Sequence, residues 1–196
     1  MNKVQQRNLS RRAQTGQTVI GALLALVIFG ALIFYATSKY VEAQRDSNAD
    51  SAVSDVQTLL HNSDTTYSSL PSCGGGLTTN CGYWNVTAQS LITAGDVPAS
   101  MISPGANALT SRFGTPVKVT PSFVLNQNDA IQLQFEVPAT ECARFATGVA
   151  SDVDVLNIGG TQVQNMVAGS GLNLASLGQR CKAGAGTVTI QLVHML

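Results

Sequence analysis

Residues 11–40 read RRAQTGQTVIGALLALVIFGALIFYATSKY, and within them Val19–Ala36 is an apolar run that contains no charged residue. As a helix this run rises about 27 Å, close to the roughly 30 Å thickness of a bilayer's hydrocarbon core. Arg7, Arg11 and Arg12 precede it, and positive charge favours the cytoplasmic side of a membrane. The sequence therefore predicts a membrane-spanning helix whose N-terminus lies in the cytoplasm.

Two ordinary explanations of this segment differ in the sequence expected after the apolar run. A cleaved secretory signal has a shorter apolar core and then small residues, whereas here the run leads into Thr37, Ser38, Lys39 and Tyr40 and further helical sequence. Ordinary signal cleavage is therefore disfavoured. An uncleaved anchor that holds a periplasmic enzyme or binding domain stays open.

The chain beyond this segment has the length and charge of one weakly acidic domain. The 196 residues include 11 basic and 11 acidic ones, and four of the basic residues, Lys3, Arg7, Arg11 and Arg12, lie in the first 16 positions. The remainder carries 7 basic and 11 acidic residues, a net charge of −4. Because no basic cluster occurs there, we expect no nucleic-acid partner.

Four cysteines lie beyond the apolar segment on the translocated side. An even number of cysteines in an oxidising compartment predicts two disulfides, and three pairings are possible. We favour Cys73 with Cys81, which closes a small glycine-rich loop, and Cys142 with Cys181, which closes a loop of about 40 residues. A zinc site is disfavoured because no C-x-x-C occurs and the chain has only two histidines.

The apolar segment continues into a sequence with amphipathic helical spacing. We predict one helix from Gln17 to about His61, roughly 68 Å long. Apolar residues recur at three- and four-residue spacing, and three aspartates fall on the opposite side. The apolar set is Val41, Ala52, Val53, Val56, Leu59 and Leu60, and the aspartates are Asp46, Asp50 and Asp55.

The rest of the chain predicts an α+β domain with an antiparallel sheet. A loop is expected after the long helix over 62–82, a short helix over 85–94, and a second helix over 139–151. Alternating patterns and turn residues predict the strands, including a hairpin that turns at 126–129. The expected strands are 116–121, 122–126, 130–137, 153–158, 161–167 and 187–193.

The junction before the apolar helix resembles the type IV prepilin signal. A polar, basic leader ends at Gly16, and Gln17 opens the apolar helix. The resemblance implies cleavage after Gly16 by a membrane prepilin peptidase and methylation of the new N-terminal residue, Gln17. The leader, Met1–Gly16, has the length of the type IVb class. The family almost always has Glu at the fifth mature position, where this chain has Gly21.

The order of elements also resembles a type IVb pilin, and is most similar to the major pilins of plasmid-encoded thin pili used in conjugation. The resemblance implies four parts: a cleaved leader (1–16), an apolar half-helix for membrane and fibre core (17–44), a globular domain (45–196) with a variable loop (62–112), and a cysteine-bounded region (142–181). It implies a structural homopolymer made by inner-membrane assembly machinery for conjugation or adhesion. The subunit would reside in the inner membrane before it joins an extracellular filament. A minor pilin or secretion pseudopilin remains an alternative.

We find no pattern that predicts catalysis, a cofactor or a metal. Gly169-Ser170-Gly171 lacks the spacing of a nucleophile elbow. His61 is expected at the end of the long helix and His194 in the last strand, and both fit structural roles. Asp152 and Asp154 alternate before a strand and indicate a solvated face. We therefore expect no enzyme.

The missing acid at Gly21 raises the question of how the mature N-terminal amine is accommodated. The first carboxylate in the chain is that of Glu42, about 31 Å further along a helix. An unpaired buried ammonium is costly, and groups in that situation usually become neutral. N-terminal glutamine can cyclise to pyroglutamate, so we expect an uncharged or weakly basic N-terminus at Gln17.

Overall fold

The longest element is helix α1, Lys3–Tyr67. This computed structural model describes residues 3–74, 76, 77, 79–105, 107–183 and 186–196, with side chains from Ile20 onward except that of Ala183. The chain divides into two compact units, residues 1–44 and residues 45–196. The helix thus contributes its first part to one unit and its last part to the other.

The predicted end of α1 at His61 is wrong by six residues. Tertiary contacts extend the helix through a polar stretch that by itself predicts a loop. Ser63 is fully buried and donates to the Leu60 carbonyl at 2.9 Å, and the Tyr67 ring packs 5.1 Å from the Tyr83 ring. His61 therefore lies inside the helix and not at its C-terminal end.

The described residues form a sheet of six strands, all antiparallel, in the order β1-β2-β3-β6-β4-β5. The α+β prediction, with a long helix packed on an antiparallel sheet, is confirmed. On β3 the predicted alternation is also confirmed, because Ile131, Leu133, Phe135 and Val137 are buried. The strands are β1 Leu109–Thr110, β2 Pro116–Phe123, β3 Gln127–Pro138, β4 Val155–Ile158, β5 Thr161–Asn165 and β6 Thr187–Met195.

The hairpin between β2 and β3 turns earlier than the predicted 126–129. One strand, β2, replaces the two predicted before the turn. The Asp129 carboxylate accepts hydrogen bonds from the backbone N–H groups of 124, 125 and 126 at 2.9, 2.7 and 2.6 Å. This side chain satisfies the backbone of the turn, so Gln127 already belongs to β3.

Besides α1, the described part of the chain contains three α-helices: α2 Ala88–Ala94, α3 Ala139–Val149 and α4 Leu174–Ala183. Helix α2 starts three residues later than predicted, because Asn85 has a positive φ of 63° and Thr87 forms a capping box with Ser90. Helix α4 was not predicted. The region 62–112 is not a continuous loop, since it contains the end of α1, α2, a short 3-10 helix at Ala99–Met101 and β1.

One hydrophobic core joins the second part of α1 to the sheet and to α3. The predicted face of α3 is confirmed, since Cys142, Phe145 and Val149 are fully buried. The Phe145 ring packs 5.3 Å from the Phe135 ring of β3.

Helices α1 and α3 approach closely at Gly148. A Cβ atom at this position would lie 2.6 Å from Cγ2 of Val53 on α1, so no larger residue fits without movement. On one side of this contact ion pairs bridge the two helices, and on the other a hydrogen bond joins α1 to the segment that follows α3. Arg144 contacts Asp46 at 2.8 Å and Asp50 at 2.7 Å, and Gln57 donates to Asp152 at 2.9 Å.

We predict that Gly148→Ala lowers the free energy of unfolding of the domain by about 1–3 kcal/mol, because the added methyl overpacks the helix contact. Gly178→Ala in α4 is the matched control: nothing lies within 4 Å of its Cβ position, so alanine there should stabilise by up to about 1 kcal/mol. Guanidinium unfolding of the full chain in detergent measures both. Equal stability of the two variants would contradict the close contact, and Val53→Ala should restore stability to Gly148→Ala.

Candidate functional site

The first unit of the chain presents an uninterrupted apolar surface. From Ile20 to Tyr35 the large apolar side chains are between 53% and 77% exposed. Within the part of the chain that the structure describes, α1 is the one helix long and apolar enough by length and composition to cross a membrane. These side chains therefore require cover from lipid or from another protein.

Packing among the described residues does not explain why this apolar helix contains two glycines. A Cβ atom at Gly21 or Gly30 would meet nothing within 4 Å. Glycine inside a helix costs roughly 0.5–1 kcal/mol relative to alanine. If glycine serves packing at these positions, the close neighbour is a different molecule.

The first polar groups after the apolar segment bond within the helix itself. Thr37 donates to the Ile33 carbonyl, Ser38 donates to the Phe34 carbonyl at 2.7 Å, and Lys39 pairs with Glu42 at 2.7 Å. The proposed cleavage residues Gly16 and Gln17 lie among the residues whose side chains are not described. Met1 and Asn2 also lie outside the description.

In the second unit two disulfides hold the loops and helices around the sheet. Cys142 on α3 is joined to Cys181 on α4 with a Cα–Cα distance of 5.6 Å, across 39 residues of chain. A loop of that size corresponds to about 3–4 kcal/mol in the chain-entropy model. Cys73 is joined to Cys81 with a Cα–Cα distance of 5.0 Å.

The short disulfide loop docks directly on the β2–β3 hairpin. Gly82 has a φ of +43°, and a Cβ atom there would lie 2.6 Å from the Asn128 carbonyl oxygen. That same carbonyl accepts a hydrogen bond from the Tyr83 N–H at 2.8 Å. Glycine at 82 therefore permits the backbone of this loop to touch the hairpin.

His194 links the last strand to the end of α1. Its Nε2 lies 3.0 Å from Oδ2 of Asp64, and its Nδ1 lies 3.7 Å from Oδ2 of Asp154. Burial by itself would lower the pKa of His194, but the hydrogen bond to Asp64 and the charges of Asp64 and Asp154 raise it above its ordinary value. Against the effect of burial, the bonds from His194 and Tyr83 lower the pKa of Asp64.

The arrangement around His194 is a structural clasp. Tyr83 donates to Asp64 at 2.6 Å, and the backbone N–H of Met195 donates to Asp154 at 2.7 Å. Among the described residues the side-chain partners of His194 are carboxylates, and neither a hydroxyl nor a thiol nucleophile is bonded to it. Asp154 contacts the last strand and so does not belong to a merely solvated face.

Comparison with known proteins identifies the family. Residues 46–194, most of the chain, match the family model described as PilS N terminal. The chain belongs to this family. The solved structure of TcpA, a type IV pilin from Vibrio cholerae El Tor biotype, is similar with a TM-score of 0.50 and 17% sequence identity. That match covers 77% of this chain and 99% of TcpA, and no curated protein matches.

The PilS-family chain thus has a type IV pilin fold. The apolar N-terminal helix, the helix-on-sheet architecture and the family together support a pilin subunit, which is a structural protein. Among the described residues no three His, Cys, Asp or Glu side chains cluster in a way that could hold a metal ion.

The sequence did not predict the burial of two charged side chains in this PilS-family domain. Asp55 was predicted on the solvent side of α1, but it is only 9% exposed and accepts from Arg112 at 2.6 Å and Ser100 at 2.8 Å. Glu141, in the first turn of α3, is 8% exposed, and burial raises the pKa of its carboxyl group. Helical periodicity could not identify either, since their partners and cover lie far away in the sequence.

We predict that the clasp makes the stability of the domain pH-dependent. A raised pKa at His194 stabilises the fold fully below about pH 6.5 and loses this effect as pH rises through the folded value. A lowered pKa at Asp64 stabilises above about pH 4 and loses its effect as pH falls through its folded value. Both contributions are therefore complete between about pH 4 and 6.5.

His194→Gln should consequently lower the Tm of the domain more at pH 5.5 than at pH 8.5, with a loss of about 1–3 kcal/mol at the lower pH. Circular dichroism of the full chain in detergent measures this difference. Arg180→Gln is the control, because it removes an exposed cation of α4 outside the clasp. Equal losses at both pH values for His194→Gln would contradict a charged clasp.

Proposed function

We propose that this chain is the major subunit of a type IVb pilus, assembled through its apolar N-terminal helix. The observation that carries the proposal is the exposed apolar surface from Ile20 to Tyr35 in a chain of the PilS N terminal family. A domain that served only as an anchored enzyme would need this segment for lipid alone.

Hydrophobic cover is the mechanism of assembly in this proposal. The segment resides in the inner membrane until identical helices bury it again in the core of a filament. Leaving lipid is tolerable only if equivalent apolar contacts replace the acyl chains. Gly21 and Gly30, whose Cβ positions are open in the subunit, would allow neighbouring helices to approach closely.

In this proposal each of three consecutive parts of the chain has its own role in assembly. Residues 1–16 are a leader that the prepilin peptidase removes, residues 17–44 form the membrane and fibre-core part, and residues 45–196 form the outer domain. The two disulfides suit an oxidising compartment beyond the inner membrane. The filament serves conjugation or adhesion, and inner-membrane assembly machinery builds it.

A minor pilin or a secretion pseudopilin would use the same signal and scaffold. Abundance distinguishes these roles: a major subunit accounts for most of the protein in purified filaments. A membrane-anchored periplasmic domain would form no filament and would keep its leader.

We predict that Gly16→Leu leaves full-length protein in the inner membrane and abolishes filaments, because a peptidase needs close access to the backbone at the cleaved residue. Ala13→Leu adds similar bulk inside the leader and should be processed normally. Intact-mass analysis measures leader removal, and electron microscopy detects filaments. Normal processing and filaments from Gly16→Leu would refute the cleavage site.

We predict that Gln17 of the assembled subunit is cyclised. Its α-amine attacks its own side-chain amide carbonyl and releases ammonia, which removes the basic nitrogen that Gly21 cannot pair. Tandem mass spectrometry of the first peptide from filaments tests this, and Gln17→Ala, which cannot cyclise, should assemble less efficiently. A methylated, uncyclised amine in assembled filaments would defeat the prediction.

A further inference from the structure

The outer face of the sheet, opposite the core, carries a pocket of about 320 Å³. Its lining comes from the end of β2 and from β3, β6, β4 and β5. The strand register explains why these residues meet. Gln132 pairs with Val193, Val193 with Val155, and Val155 with Asn165, so one transverse row crosses four neighbouring strands.

A second transverse row lies beside the first. Gln134 pairs with Gln191, Gln191 with Asn157, and Asn157 with Gln162, so every position of this row is an amide side chain. On β3, β6 and β4 the two rows use residues two apart, which share one face of a sheet. On β5 a shift in the β4–β5 register brings Gln162, three residues before Asn165, opposite Asn157. The pocket thus has Val155 and Val193 as an apolar floor between amide groups.

Three amides of this pocket are free to bind a ligand. Among the residues that the structure describes, the side chains of Gln132, Asn157 and Gln162 make no hydrogen bond, whereas Gln191 donates to Gln134 at 3.5 Å. Asn165 uses its carbonyl oxygen to accept from the Ala168 N–H at 2.9 Å. Each amide offers two donors and one acceptor oxygen. The pocket therefore presents hydrogen-bond donors and acceptors side by side, separated by the distance between neighbouring strands.

An exposed aromatic ring stands at the edge of the pocket. Phe123 is 67% exposed, and the β2–β3 register shifts between Ser122 and Phe123. A bulge of this kind re-aims the side chain at a strand end. Phe123 lines the pocket together with Ser122 and Val124.

The lining excludes several classes of ligand. It contains no ionisable side chain, so nothing in it would pair with a phosphate, a nucleic acid or a charged lipid headgroup. A purely apolar ligand would leave the amides desolvated without partners. A peptide cannot add as a strand there, because the central strands β3, β6 and β4 are paired on both sides.

We propose that this pocket binds a neutral sugar residue. Hydroxyl groups both donate and accept, as the amides of Gln132, Asn157 and Gln162 require, and the C–H face of a sugar ring suits Phe123 and the valine floor. A volume of about 320 Å³ is at the lower end for small-ligand sites. The uncharged lining complements an uncharged ligand. This activity goes beyond the structural role and does not require a filament.

Saturation-transfer NMR tests the proposal on the full chain in deuterated dodecylphosphocholine micelles, which contain no sugar headgroup. The probes are the methyl glycosides of glucose, galactose, mannose and N-acetylglucosamine at millimolar concentration. At least one should receive saturation. Asn157→Ala and Gln162→Ala should each weaken binding about 3–10-fold. Gln179→Ala, an exposed glutamine of α4 outside the pocket, should leave binding unchanged.

Three results would overturn the proposal, each with circular dichroism showing folded variants. The first is no saturation of any of the four glycosides. The second is equal binding by Gln162→Ala and Gln179→Ala. The third is a change in self-association of Gln162→Ala without sugar binding, which would make this face a contact between copies of the chain. Because the measurement uses unassembled protein, failure of filament formation does not affect its outcome.

Discussion

The structure depends on one constraint: apolar side chains on α1 must be covered, and the two parts of the helix meet this requirement differently. In the second unit Ala52, Val56, Leu59 and Leu60 are buried in the domain's own core. In the first unit the large apolar side chains from Ile20 to Tyr35 are 53–77% exposed among the described residues. Lipid or other protein must supply their cover, and a long helix with one self-covered part and one exposed part therefore suits the proposed passage from membrane to filament.

The two faces of the sheet differ in the side chains that they carry and in their proposed roles. The face toward α1 and α3 is apolar, with Ile131, Leu133 and Phe135 buried in the core. The other face bears amides and hydroxyls and is open. Ladder pairing aligns alternate residues of each strand on one face, so a single antiparallel register creates both the core and a surface of aligned polar groups. The proposed roles in assembly and in sugar binding therefore use separate surfaces.

Long-range contacts secure the ends of the domain. Cys142–Cys181 ties α3 to α4, and the clasp of His194 with Asp64 ties the last strand to the end of α1. Both join positions far apart in the chain, and the covalent disulfide also restricts the unfolded chain. These two contacts hold α4 against α3 and the last strand, β6, against the end of α1. Among the described residues, the charged groups near His194 hold the last strand in place, and this role fits a structural protein.

Sequence by itself determined the long helix, the α+β class and the alternation of β3, because helical and strand periodicities are local properties of the chain. It also indicated the resemblance to pilins, through the leader junction and the cysteine spacing. Tertiary structure decided the rest. Helix α1 reaches Tyr67 because its ring meets Tyr83, the hairpin turns early because Asp129 caps it, and Asp55 is buried because Arg112 lies opposite. Of the three possible cysteine pairings the sequence favoured Cys73–Cys81 with Cys142–Cys181, and the structure contains these two disulfides. The Tyr67–Tyr83 and Asp55–Arg112 contacts join residues that only the folded chain makes neighbours, whereas the Asp129 cap is local and was missed because several polar residues at 126–129 suit a turn.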